Sequence, residues 1–300
     1  MFLPPATQKG GVFALGNFDG LHRGHKLVLD AAIEKAASMG VKARVMTFEP
    51  HPRVLFQPGV APFRLTPAHA KIRLLADYGI HDVVVLPFNQ TLAHLPAQEF
   101  VERVLHHELD AQHIVAGHDF VFGHNRNGDM KALAAWLEPK RVGVTEIAPL
   151  GDGTVFSSTR IRELLKLGDP KAAAVILGRE WSIVGTVMKG AQRGRTIGVP
   201  TANIQLGDYL RPKFGVYAIR AGRIGEPLIH RGVANIGVRP TVDGQSENLE
   251  AHLFDFDSDI YDQVWEFALT DFIRAERKFE DINTLKTQIM QDITAARLAL

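Results

Sequence analysis

Strand-like and helix-like segments alternate along roughly the first 180 residues of this chain and then the alternation stops; no other feature limits the fold so sharply. Residues 11–16 read GVFALG, a short apolar run suited to a buried strand. Residues 26–39 carry Leu29, Ala32, Ile33 and Ala36 near a 3.6-residue period, and Gly40 follows as a stop signal. Further strands are expected at 41–48, 81–86, 113–116 and 142–147, and further helices at 67–78, 96–109 and 128–137. Alternation of this kind predicts βαβ units and a mostly parallel sheet. Such sheets bind ligands beyond the C-terminal ends of their strands, in the loops that lead into helices.

Beyond Gly178 the texture changes. Strand patterning at 181–187, 215–221, 228–236, 247–256 and 264–272 is punctuated by glycine and proline with no helical period between. This predicts an antiparallel barrel or sandwich. A closing helix is expected from the stripe Leu285, Ile289, Ile293 and Ala296. The boundary is placed near 177–180, giving domains 1–178 and 179–300. At 46% hydrophobic and 22% charged residues the chain is globular, with enough length for two cores. Lys+Arg (34) and Asp+Glu (33) nearly cancel, which argues against a protein that coats nucleic acid. The absence of cysteine excludes disulfides, thiolate catalysis and cysteine-bound metal. No apolar run approaches the roughly 18 residues of a membrane helix, and the N-terminus does not read as a secretory signal, so a cytoplasmic location is expected.

The segment GNFDGLHRGH, residues 16–25, falls between the first strand and the first helix. Gly16, Gly20 and Gly24 permit sharp turns and close backbone approach to a ligand. Asn17 and Phe18 lie in the same turn. A helix N-terminus favours an anion such as phosphate. His22 and His25, three apart, share a face of the first turn and could hydrogen-bond a phosphoryl oxygen gaining charge. Taken alone the pair could be surface histidines on a tight turn, or two ligands of a metal. The strand–turn–helix setting favours the anion. This HxGH resembles the motif of the nucleotidyltransferase superfamily. A second match to that group is SSTRIR, residues 157–162, which implies that Ser158, Thr159, Arg160 and Arg162 hold a triphosphate and the leaving pyrophosphate; arginine forks bind phosphate bidentately.

In the second half, residues 185–204 read GTVMKGAQRGRTIGVPTANI, a glycine-rich segment without the GK[ST] of a P-loop. Thr201 and Asn203 offer hard oxygen donors suited to Mg²⁺ and phosphate. In NLEAHL, residues 248–253, alternation puts Leu249, Ala251 and Leu253 on one face and Glu250 and His252 on the other. Glu250 is either a solvated strand residue or a base for an attacking hydroxyl.

At GRTIGVPTAN, GVYA, VANIGVRPTV and LEAHL this half resembles riboflavin kinase. With MTFEPHP (46–52) and GHDFVFG (117–123), nearly the whole chain resembles the bacterial bifunctional riboflavin kinase/FAD synthetases. The resemblance implies an α/β protein. Its N-terminal half would be a Rossmann-like nucleotidyltransferase domain with a parallel sheet, followed by a C-terminal antiparallel β-barrel and a terminal helix. It implies riboflavin, FMN and ATP as substrates and Mg²⁺ as cofactor; the charge balance and hydropathy leave neither nucleic acid nor membrane as an expected partner, and a monomer is the expectation for an oligomeric state the sequence leaves open. Glu250 would be the kinase base; Thr201 and Asn203 would hold Mg²⁺ and ATP phosphates; Gly190, Gly194 and Arg195 would form a flap over the nucleotide. Arg274 would lie in the loop region that closes over the flavin. His22 and His25 would stabilise charge on the ATP α-phosphate beside Gly16, Asn17 and Phe18, and Asp119 and Phe122 would belong to a flavin-binding loop. His118 and Asp262 depart from the pattern, which more often has an acidic or small residue and a glycine there. Two other readings stand beside this one: an adenylyltransferase of different specificity with a binding-only barrel, and a flavin sensor or RNA-binding protein without activity.

Overall fold

The computed structural model describes residues 8–80, 82–189, 199–241 and 244–300. Contacts divide the chain into two units: residues up to Ala61 with Thr66–Ser157, and Pro62–Leu65 with Ser158–Leu300.

The first unit is a five-stranded parallel sheet in the order β3-β2-β1-β4-β5. Its elements run β1 (Val12–Leu15), α1 (Arg23–Met39), β2 (Ala43–Glu49), α2 (Pro52–Phe56), α3 (Ala68–Asp77), β3 (Asp82–Pro87), α4 (Gln90–Ala93), α5 (Ala97–Glu99) continued by a π-helix (Phe100–Glu108), β4 (His113–Gly117), α6 (Met130–Leu137) and β5 (Gly143–Ile147). β1 is buried on both faces, as parallel strands usually are. Val12 and Ala14 pack with Leu29 and Ala32 of α1. Phe13 and Leu15 pack on the opposite layer with Phe100, Leu105 and Leu133. The expected first helix begins at Arg23, earlier than its apolar period suggested, because His22 caps it: His22 Nδ1 accepts from His25 N–H at 3.3 Å. The strand order reverses direction at β1, which pairs with β2 on one side and β4 on the other. The loops after β1 and β4 therefore diverge and open a crevice at the C-terminal edge of the sheet.

The second unit begins with α7 (Ser158–Leu167) and α8 (Pro170–Leu177). Asp169 caps α8 by accepting from Ala172 N–H at 2.9 Å, and Gly178 ends it at φ 69°. Then follow β6 (Trp181–Thr186), β7 (Ala202–Gln205), β8 (Gly215–Arg223), β9 (His230–Thr241), β10 (Gly244–Leu253), β11 (Val264–Ala275) and α9 (Ile282–Ala299). The six strands form an antiparallel sheet, β6-β11-β8-β9-β10-β7, that nearly closes into a barrel. Its ends approach where Met188 bridges Asn203 and where Gly185, lacking a side chain, leaves room for Ile204. Trp181, Tyr217, Ile219, Ile236, Leu249 and Phe267 are fully buried in it. The segment Pro62–Leu65 is built into this unit: Trp181 Nε1 donates to Leu65 O and Arg162 Nε to Phe63 O, both at 2.9 Å, and Leu210 N–H donates to Arg64 O at 2.7 Å. Of the apolar stripe on α9, Ala296 is buried and Leu285, Ile289 and Ile293 are half-buried. Asp262 has φ 61°, the left-handed backbone that glycine adopts without strain, so the glycine expected there by resemblance would fit the same turn.

Candidate active sites

The loop after β1 is the first site. Phe18 (φ 49°) and Leu21 (φ 45°) occupy left-handed backbone, unusual for residues of this size, and both are buried. Gly16 approaches the Phe18 ring so closely that a Cβ would lie 3.2 Å from it. Asp19, 2% exposed, accepts from Thr66 N–H (2.9 Å) and Thr66 Oγ1 (3.2 Å), while Gly20 N–H donates to Thr66 Oγ1 (2.8 Å). The opposite flank is held by Lys71, whose ammonium reaches Asn17 O (3.3 Å), Thr47 Oγ1 (3.1 Å) and Glu49 Oε1 (2.8 Å). Neither Thr66 nor Lys71 was legible as a site residue.

At the end of this loop the rings of His22 and His25 stack with centroids 3.6 Å apart. A Cβ on Gly24 would meet His22 at 3.1 Å, so glycine at this position leaves room for the ring. Because His22 Nδ1 accepts the capping bond, neutral His22 carries its proton on Nε2 and can donate from there. Asn17 Oδ1 is buried and has no hydrogen-bond partner among the described residues. A 17-residue helix, its N-terminal N–H groups and two imidazoles thus gather at the sheet's open edge. That combination suits an anion bound through donors.

In the loop after β4, Asp119 is exposed and Phe120 half-buried. Phe122 is 6% exposed and packs with Phe100, Phe120 and Trp136, so its ring belongs to the core of the unit. Ser158, Thr159, Arg160 and Arg162 form the first turns of α7 in the second unit. Arg162 also stacks its guanidinium over the Phe63 ring at 5.6 Å.

The second site lies on the barrel. Strand register places Asn203, Glu250 and Asn235 side by side on β7, β10 and β9, and continues through Val216 to Arg274 on β11. Directly opposed residues share a face, so one row carries all five side chains. Leu249, Ala251 and Leu253 are buried on the other face, as the alternation predicted. His252 Nδ1 lies 2.9 Å from Pro200 O and ties the PTAN segment to β10. Asn203 Nδ2 donates to Thr201 O at 3.5 Å, a long bond that leaves the amide oxygen for another partner. Asn235, missed in the sequence, donates through Nδ2 to Glu276 Oε1 at 3.1 Å. Arg274 stands in β11 and not in a loop, three strand spacings from Glu250, or roughly 14 Å. Its guanidinium makes a bidentate pair with the buried Asp292 of α9, at 2.8 and 2.7 Å. Gly190, Gly194 and Arg195 lie outside the described residues. Among the described residues no three His, Asp or Glu side chains gather as a metal cage, and no helix is long and apolar enough to cross a membrane.

A nucleotide-binding parallel sheet with a histidine-capped helix, joined to a barrel carrying a Glu/Asn row, defines a two-part enzyme of phosphoryl and nucleotidyl transfer. Residues 5–160 match the family model of FAD synthetase and residues 177–300 that of riboflavin kinase. The chain belongs to the bifunctional riboflavin kinase/FMN adenylyltransferase family. It is 41% identical to the enzyme of that name from Pseudomonas fluorescens over 292 residues, covering 96% of this chain and 93% of the relative. It is 38% identical to that of Escherichia coli K12 over 296 residues, covering 98% and 94%. The fold is similar to a crystal structure described as a macrolide-efflux protein from Streptococcus pneumoniae, with a TM-score of 0.85, 31% identity, and 98% and 95% of the two chains covered. The chain is thus an ATP-using enzyme of flavin cofactor synthesis with a riboflavin kinase and an FAD synthetase half.

Proposed function

We propose that the two reactions run at these two places, with residues 1–178 carrying adenylyl transfer and 179–300 the kinase. On the barrel, Glu250 takes the proton of the riboflavin 5′-hydroxyl as that oxygen attacks the γ-phosphorus of ATP. The bond to the β-phosphate oxygen breaks, and FMN and ADP result. The observation that carries this assignment is register: Glu250 stands between Asn203 and Asn235 on one face, next to the strand that follows Thr201. Thr201 and Asn203 offer only oxygen donors, which fits Mg²⁺ better than a softer metal. When bound, the ion would neutralise charge on the ATP phosphates.

At the parallel sheet, an oxygen of the FMN phosphate attacks the α-phosphorus of a second ATP, and pyrophosphate leaves as FAD forms. The nucleophile is already anionic, so no base is required. What the step needs is donors for growing negative charge. His22 Nε2–H, His25 and the N-terminal N–H groups of α1 supply them, with Gly16, Asn17 and Phe18 shaping the approach. The superfamily motif assigns Ser158, Thr159, Arg160 and Arg162 to the triphosphate, and the resemblance to riboflavin kinase assigns Gly190, Gly194 and Arg195 to the kinase flap. Asp119 and Phe122 are assigned to FMN; for Phe122 this would be by bracing the loop from within the core. Arg274 is assigned to the flavin end of the kinase row. The reading includes a cytoplasmic monomer without nucleic-acid or membrane partners, which sedimentation and cell fractionation would check.

Chromatography of flavins in two separate assays tests the division. Glu250→Ala should abolish FMN formation from riboflavin and leave FAD formation from supplied FMN intact; His25→Ala should do the reverse. Equal loss of both activities in each folded variant would refute separate sites.

A further inference from the structure

Lys71 is only 1% exposed, yet it is a charged residue in the core of the first unit. A methionine of similar length would fill the space without the cost of burying an ammonium ion. The lysine must therefore be explained by what it holds. Glu49 Oε1 at 2.8 Å balances its charge, so it projects little net field onto a ligand. Two further contacts converge on one peptide. Lys71 Nζ donates to Asn17 O (3.3 Å) and to Thr47 Oγ1 (3.1 Å), and Thr47 Oγ1 donates in turn to Asn17 O (3.3 Å).

Asn17 immediately precedes Phe18, whose left-handed backbone is strained for a large residue. On the far side of Phe18, Asp19 is held by Thr66. Thr66 and Lys71 sit at the start of α3, so one helix start grips both flanks of the strained turn. That turn leads into the capping His22 and presents the unsatisfied Asn17 Oδ1.

We infer that Lys71 is a positioning residue for adenylyl transfer: with Thr47 it pins the Asn17 carbonyl and so fixes where the loop delivers Asn17 and the His22–His25 pair. The inference rests on the reading that this loop performs adenylyl transfer. The effect is geometric, and it falls on kcat more than on KM.

The test uses the full-length enzyme and follows both activities. Lys71→Met should lower kcat for FAD formation from FMN about a hundredfold, the scale of a misplacement of about 1 Å, with KM for ATP changed less than about threefold. Riboflavin phosphorylation should stay within about twofold, and Lys71→Arg should recover part of the loss. A merely structural role would not couple to the histidines. Lys71→Met added to His25→Ala should therefore cost less than about threefold beyond the residual rate of His25→Ala, read for both variants at raised enzyme concentration. FAD formation within about threefold of wild type in folded Lys71→Met, or a fully multiplicative double variant, overturns the inference. If Lys71→Met does not fold, Thr47→Val decides: a drop in kcat of about tenfold supports the inference, and less than about twofold overturns it. Should His25→Ala leave FAD formation intact, the reading of the loop fails and this inference falls with it; if His25→Ala is inactive while Lys71→Met is not, only the inference fails.

Discussion

The Arg274–Asp292 pair joins the row of Asn203, Glu250 and Asn235 on the barrel, proposed above as the kinase site, to its terminal helix, and removing either end has a calculable cost. The Asp292 side chain is 6% exposed and that of Arg274 21%. Two parallel bonds of 2.8 and 2.7 Å link them, and Gln288 Nε2 donates to Asp292 Oδ1 at 2.7 Å. Breaking a fully buried pair from one side costs about 3–5 kcal/mol, because a charge is left without a partner. Arg274 keeps some contact with water, which lowers the expectation for Asp292→Ala to about 2–3 kcal/mol. The apolar contact under α9 is small, with Val216, Ala218, Val233, Phe254 and Ala296 as its buried members, so the loss should show as local opening of the helix. Hydrogen exchange is the appropriate assay, since a chain of two units need not unfold in one transition. Protection of α9 amides should fall about 30- to 150-fold. The double variant Arg274→Ala/Asp292→Ala removes both charges and should be no worse than Asp292→Ala, giving a coupling of about 1.5–2 kcal/mol. A change below about 0.5 kcal/mol, or strict additivity, would refute the argument. The riboflavin KM separates two roles for Arg274. If the arginine only holds the helix, Arg274→Ala and Asp292→Ala raise KM alike; if it also touches the flavin, Arg274→Ala raises it further.

Two further expectations concern the first unit. Gly24→Ala replaces a helical glycine by a better helix former but puts a methyl 3.1 Å from His22, so thermal stability should hold while FAD formation falls about tenfold, measured beside an unchanged kinase rate. Burial, with a smaller contribution from Lys35, holds the His113 imidazole below the usual histidine range; its Nε2 lies 2.8 Å from Thr145 Oγ1, and the ring packs over Gly143. The unfolded chain therefore binds a proton that the folded chain does not, and stability is lost as pH falls below the ordinary histidine value of about 6.5. Urea midpoints across that range should slope less steeply in His113→Gln, and an unchanged slope would count against the assignment.

The sheet, the barrel and most of the strands were legible because burial on both faces or on one writes itself into sequence as a run or an alternation. What escaped had physical reasons. β7 is four residues long, too short for alternation to register. α1 started early because its cap is a histidine using Nδ1, whereas the usual caps are serine, threonine, aspartate and asparagine. α8 opens at Pro170 behind the Asp169 cap and is closed by Gly178, but its apolar run lacks a polar face to reveal the period. Among the proposed site residues, the glycine turn, His22 and His25 stand out because their spacing is local, whereas alternation alone leaves Glu250 open and the resemblance singles it out. Asn235 becomes a neighbour of Glu250 only through strand register, and Lys71 meets Asn17 across 54 positions of chain. No local pattern encodes such pairs. The loop position of Arg274 is what the family resemblance implies; the strand patterning ends at 272, and register shifts at 269/271 and 272/274 interrupt the alternation that would carry the strand on to Arg274.

The four residues Pro62–Leu65 carry a consequence for how this gene could be divided. They belong by contact to the unit that otherwise starts at Ser158, so the polypeptide enters that unit, leaves it and returns. A cut at 178/179 would release a C-terminal fragment whose Trp181, fully buried, has lost the carbonyl of Leu65 for its indole N–H, and whose Leu210 amide has lost that of Arg64. Orphaned donors of that kind each cost about 1–3 kcal/mol. A fragment spanning 158–300 keeps the helices but suffers the same loss. The two catalytic halves are therefore modules in chemistry without being modules in sequence, and recombination that shuffled one without the other would have to supply a replacement for a strap encoded nearly a hundred codons upstream, between Pro62–Leu65 and Ser158.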